Sequence, residues 1–173
     1  SIFGKFSDEK FLIDQSAKLS KMIKRADQII VPASFTKRDL ISKMGVPSDK
    51  ISVVGEGVRK IYLGPIEKQK SQQSVQIKWT INEPFLLFVG TLEKRKNLVG
   101  LIRAFEELKK VRPQPLQLVL VGHPGFGFNE IEEALRKSPV KNHIRQMGFV
   151  DQAELRDLYQ ACAAFVTLSW EEG

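Results

Sequence analysis

From residue 85 onward, short apolar runs alternate with stretches whose apolar residues recur every three or four positions. FLLFVG (85–90) has the length and composition of a buried strand. Beyond Asn97, residues Leu98, Leu101, Ile102, Phe105 and Leu108 share one helical stripe and predict a helix over 98–111. LQLVLV (116–121) predicts a second strand ending at Gly122, and Asn129 is placed to cap a helix running to about Lys137. A short strand is expected around 145–149. Asp151 and Glu154 have capping-box spacing and open a helix to about Cys162, and AAFVTL supplies a last strand. Strands that are apolar almost throughout, alternating with helices, specify an α/β fold: a parallel sheet with helices on both faces.

The first third is less regular. Ala17, Leu19, Met22, Ile23 and Ala26 predict a helix over 14–26, and QIIVPA (28–33) a buried strand. Ser34 is placed to cap a helix that runs to Met44 and stops at Gly45, and KISVVG (50–55) reads as another strand. From Gly55 to about Glu83, GEGV, a Gly-Pro pair and the polar run EKQKSQQSVQ read as a linker.

In such sheets ligands bind at the carboxyl ends of the strands, where Gly90-Thr91, Gly122-His123, Phe149-Val150 and Ser169–Gly173 fall. The first of these ends runs into TLEKRKN. A strand, a glycine, the cations Arg95 and Lys96 and a helix start together make a site for phosphate or diphosphate. A solvated charged corner would look the same, and the loop alone fits both readings. Neither a Walker pattern nor G-x-G-x-x-G is present.

Composition narrows the partners. A formal charge of +7 over 173 residues favours phosphorylated ligands, nucleic acid or an anionic membrane surface. The basic residues are scattered without aromatic interleaving, which places nucleic acid last and excludes it from the expected partners. The one cysteine, Cys162, permits no internal disulfide and fits a reducing, cytoplasmic compartment. His123, His143 and Cys162 are too dispersed to suggest a metal site. His123 sits at a strand end, a place that invites a catalytic role, but a loop histidine is more often plain loop chemistry; His143 reads as structural, and Gly125-Phe126-Gly127-Phe128 reads as a turn or a lip. Lysines at 18, 21 and 24 with Arg25 form a solvent-facing side of the first helix, or a contact with anionic lipid at the inner face of the plasma membrane.

Taken in order, RADQIIVPASFTKRDL, DKISVVGEGV, FLLFVGTLEKRKNLVGLIRAFEEL, LVLVGHPG, MGFVDQAELRDLYQAC and LSWEEG resemble the later blocks of retaining GT-B glycosyltransferases of family 4, the glycosyl transferases group 1. The resemblance covers residues from about 18 to the end. It implies a Rossmann-like carboxyl-terminal domain and transfer of a sugar from a nucleoside diphosphate donor to an acceptor hydroxyl with retention. It assigns 1–57 to the end of an amino-terminal, acceptor-side domain, 58–83 to an interdomain linker and 84–173 to the nucleotide-sugar-binding domain. Arg95 and Lys96 match positions that hold the donor diphosphate, Gly90 the close-approach glycine, and Gly122 the next strand end. Val150 matches a strand end whose main chain contacts the base. Glu172 matches the first acid of an E-x7-E motif that engages the donor sugar, and it is the expected catalytic residue. The donor, a GDP- or UDP-sugar, is a substrate, and no cofactor is implied. The acceptor would be a glycan or a lipid-linked sugar.

GTLEKRKN is the spelling often seen in mannosyltransferase-like members and points toward GDP-mannose. Thr91 stands where many members carry arginine, Glu56 where asparagine is commoner, and Leu168 where proline is frequent. The second acid of E-x7-E would lie beyond Gly173, and the chain is expected to be a truncated piece, inactive by itself and prone to self-association through unpaired strand edges. Outside this family, a non-catalytic nucleotide-binding regulatory module or half of an NAD-dependent oxidoreductase would share the fold class.

Overall fold

The computed structural model describes residues 9–170. They divide into two compact units, one ending at Val58 and the other beginning at Arg59.

In the first unit, helix α1 (Glu9–Arg25) precedes strand β1 (Ile29–Val31), helix α2 (Ser34–Met44) and strand β2 (Ile51–Val53). The two strands pair in parallel, Ile29 opposite Ile51 and Val31 opposite Val53. Val31, Leu40, Val46 and Ile51 form the buried centre, with Ile23, Ile29, Ile41 and Met44 packed around it. Gly45 ends α2 in the left-handed conformation, as expected of a glycine just past a helix. Ser34 does not cap α2 but lies within its first turn. The cap position belongs to Ala33, which offers no side-chain hydrogen bond.

The second unit carries the main sheet. Its strands are β3 (Phe85–Val89), β4 (Gln117–Val121), β5 (Ile144–Gln146) and β6 (Ala164–Phe165), in the order β5-β4-β3-β6. Every pairing is parallel. The alternation of side chains along a strand divides the core in two. Phe85 and Leu87 of β3, with Val119 and Val121 of β4, face one layer of helices, while Phe88, Leu118 and Leu120 face the other. Helices α4 (Leu98–Val111) and α5 (Phe128–Lys137) cover the second face through Leu98, Leu101, Ile102, Phe105 and Ile131.

The other face is where the structure departs from the expected linker. Residues Lys68–Trp79 form helix α3, which packs beside α6 (Gln152–Ala161) over Phe85 and Leu87. Its apolar contribution is confined to Val75 and Trp79, too little for a hydrophobic stripe to stand out. Polar bonds supply the rest. The buried Ser71 hydroxyl donates to Asp157 at 3.0 Å and Ser74 to the same carboxylate at 2.7 Å, while Lys78 pairs with Glu154. The preceding strap is pinned to α6 as well: Tyr62 donates to Gln152, and Arg156 and Gln160 both donate to the Pro65 carbonyl. A polar composition that mimics a linker therefore codes for a covering helix.

Of the two caps expected in this unit, one forms and the other shifts. Asp151 and Glu154 form the anticipated reciprocal box at the start of α6. Asn129 instead lies inside the first turn of α5, whose cap is Gly127.

Candidate functional site

The carboxyl edge of the main sheet is built from strand ends that stay bonded past the last regular residue. Gly90 donates its N–H to Val121 at 2.9 Å, and Gly122 donates to Gly148 at 2.8 Å. Both glycines have strongly positive φ, 151° at Gly90 and 146° at Gly122. At Gly122 a Cβ would fall 1.9 Å from the Gly90 carbonyl oxygen, so no other residue fits beside the neighbouring strand end. The amides of Gly90 and Gly122 are thus spent on the sheet. What these two positions offer a ligand is close approach to bare backbone, not free donors.

The basic loop follows. Leu92 is buried, pairs with Pro124 and donates to the His123 carbonyl at 2.8 Å. Lys94–Lys96 form one turn of 3-10 helix, and Asn97 then enters the left-handed conformation (φ 53°) before α4 begins. Asn97 occupies the cap position of α4 without a side-chain hydrogen bond to the helix. The three cations go to different places. Lys94 turns to α5 and pairs with Glu130 at 2.6 Å. Arg95 bonds Glu93 of its own loop at 2.8 Å, both side chains being partly exposed. Lys96 bends back toward the end of β3, its Cε lying 4.0 Å from where a Gly90 Cβ would stand. The first turn of α4 lines a cleft of about 350 Å³ together with Lys94, Arg103, Gly127, Glu130 and Trp170.

Val150 and Phe149 lie at the neighbouring end of β5. Val150 is buried in the core against Val121 and Leu158, leaving its main chain as the part able to meet a ligand. Phe149 points out, 71% exposed, and its ring stacks on His123 with centroids 5.8 Å apart and planes 7° from parallel. The structure therefore brings Gly90, Lys96, Gly122 and Val150 to one edge with Arg95 in the adjoining loop. Glu172 lies outside the described residues. The His123–Phe149 stack escapes a sequence reading because the two residues are far apart in the chain; only the strand-end positions of both hint at it.

Among the described residues there is no cluster of acidic, histidine and cysteine side chains able to hold a metal ion. Cys162, at the end of α6, is half-buried and donates to the Tyr159 carbonyl. Burial pushes its thiol pKa up, against a smaller opposing pull from Lys68. The raised value keeps it protonated at neutral pH, and alkylation at pH 7.5 should be slower than that of a small-molecule thiol, catching up only in alkaline solution. Equal rates at pH 7.5 would contradict the buried environment.

The family model of the glycosyl transferases group 1 matches residues 69–173. The chain belongs to that family. Among similar proteins, O-antigen chain mannosyltransferase B of Escherichia coli is 27% identical over 157 residues, covering 90% of this chain and 40% of the relative. D-inositol 3-phosphate glycosyltransferase of Kineococcus radiotolerans is 26% identical, covering 88% of this chain and 36% of its own length. The chain therefore spans about two fifths of these relatives. The crystal structure of Anabaena Alr3699/HepE in complex with UDP-glucose aligns with a TM-score of 0.71 at 19% identity, over 86% of this chain and 40% of that one. WaaG, a glycosyltransferase involved in lipopolysaccharide biosynthesis, aligns at 0.70 with 17% identity, over 84% and 39%. The fold is the Rossmann-like, GT-B type of this group 1 family. The start of the match at residue 69 takes in nearly all of α3, in agreement with its place over the sheet.

Proposed function

We propose that this chain carries the donor side of a retaining glycosyltransferase, which moves a sugar from a nucleoside diphosphate sugar to an acceptor hydroxyl. The carrying observation is the loop after β3: a cationic turn fixed by main-chain bonds at the carboxyl edge of a parallel sheet, where such folds take their ligands. Arg95 and Lys96 would hold the diphosphate and stabilise the negative charge that develops on it as the sugar departs. Gly90 and Gly122 would admit the ligand close to the backbone, and the main chain of Val150 would meet the base. Glu172 would hydrogen-bond the donor sugar, a role that suits an acceptor-only carboxylate facing hydroxyls.

The donor is a GDP- or UDP-sugar, with mannose favoured by the relatives named as mannosyltransferases. The acceptor is a glycan or a lipid-linked sugar. Among the described residues no helix is long and apolar enough to cross a membrane; approach to an anionic surface would rest on the lysines of α1. The division at Val58 and Arg59 supports assigning 1–57 to an acceptor-side domain, and α3 then belongs with the donor side.

Thermal denaturation of the 173-residue chain with GDP, UDP, ATP and NAD tests the proposal. Stabilisation by GDP or UDP beyond that by ATP and NAD is the expected result. Stabilisation by NAD alone would place the chain with the dinucleotide-dependent oxidoreductases, and no response to any of the four would remove the donor-site assignment.

A further inference from the structure

We infer that the paired rings of His123 and Phe149 form a stacking platform for the nucleobase of the donor, with Phe149 as the contact and His123 as the residue that positions it. The inference rests on the donor-site proposal and adds two side chains to it. Three observations carry it. Phe149 is 71% exposed just past the carboxyl end of β5, while its chain neighbour Val150 is buried. An exposed aromatic ring has no packing reason to be held in one orientation, yet this one lies 7° from parallel with His123. Finally, the pair is tied to the phosphate loop, since the His123 carbonyl accepts from Leu92 N–H at 2.8 Å.

The spacing fits one ligand. β3, which leads into Lys96, and β5, which leads into Phe149, are separated only by β4. Two strand spacings are roughly 10 Å, about the reach of a nucleoside from its base to its diphosphate. A base laid on the outer face of Phe149 would therefore extend the stack, while the phosphates reach the cationic turn. Gly148 supplies the bend that lifts Phe149 out of the strand (φ 45°). Stacking on a phenyl face needs no hydrogen-bond code, so the platform should serve guanine and uracil alike.

Isothermal titration of the 173-residue chain with GDP, UDP and inorganic pyrophosphate tests this. Phe149→Ala should weaken GDP and UDP by about tenfold, the lower end of what one base–aromatic stack contributes, and leave pyrophosphate unchanged. Phe149→Trp should retain nucleotide affinity. His123→Ala should reproduce part of the loss and His123→Phe, which keeps a flat partner, should restore it. The circular dichroism spectrum of each variant should match the parent, since both side chains are exposed. If the parent binds GDP or UDP and Phe149→Ala binds them equally well, the platform is overturned while the donor site stands. Equal losses for pyrophosphate and nucleotides would overturn it too, because the ring would then only shape the loop. If the parent binds neither nucleotide, the donor-site proposal fails and takes the platform with it.

Discussion

Replacing Lys96 with alanine is expected to raise the dissociation constant for GDP or UDP by roughly ten- to a hundredfold. The estimate is the loss of one charged hydrogen bond, about 1.5–3 kcal/mol. Arg95→Ala should fall in the same range, with one added consequence. Its guanidinium already bonds Glu93 through Nη2, so a phosphate would compete with that carboxylate for the side chain. Glu93→Gln should therefore tighten diphosphate binding, by weakening that competing bond and removing a like charge from beside the ligand. All three positions lie in a loop whose path depends on main-chain bonds, and melting temperatures should stay near the parent's. Titration at low and high salt completes the test: affinity should fall as ionic strength rises, and less steeply in the alanine variants. Unchanged nucleotide affinity in both alanine variants would end the assignment of this loop to phosphate.

The second large effect concerns the frame beneath the loop. Gly122→Ala should destabilise the second unit by more than about 4 kcal/mol or prevent its folding, a size reserved for substitutions with a severe, specific clash. The new Cβ would stand 1.9 Å from the Gly90 carbonyl, on backbone already held by two adjacent strands, and the φ of 146° disfavours any side chain. Gly148→Ala is the matched control. Its φ is also positive, at 45°, but nothing lies within 4 Å of the added methyl group. Its cost should be only the left-handed penalty of roughly 1–2 kcal/mol. Urea denaturation of the two variants should separate them clearly; similar midpoints would mean that the strand ends are less tightly joined than the geometry indicates.

Much of this architecture was legible in the sequence because β3, β4 and α4 carry apolar residues at the spacings that burial on two faces demands. Leu98–Val111 was bounded correctly by periodicity alone. Helix α3 was hidden for the opposite reason. Ser71 and Ser74 hold it to Asp157 more than a hydrophobic stripe does, and a run of Gln, Lys and Ser has the same composition in a linker as on a polar-bonded helix. The helix starts misled by a position or two: Ser34 and Asn129 both lie inside helices whose actual caps, Ala33 and Gly127, make no side-chain bond. At the site, the sequence showed which strand ends converge but not where each charge goes. The diversion of Lys94 to Glu130 and of Arg95 to Glu93 depends on partners that only the folded chain brings near.

The attachment of the basic loop has a consequence for how such a site can change. Gly90 to Val121, Leu92 to His123, Lys94 to Phe126 and Trp170 to Arg95 are all bonds between backbone groups. The course of the loop is therefore set without reference to the side chains at 93, 95 and 96. Those three positions can be rewritten, charge for charge or charge for neutral, while the scaffold beneath them keeps its shape. An interchangeable rim on a constant frame lets ligand preference drift by single substitutions, each testable for binding without first having to be rescued for folding.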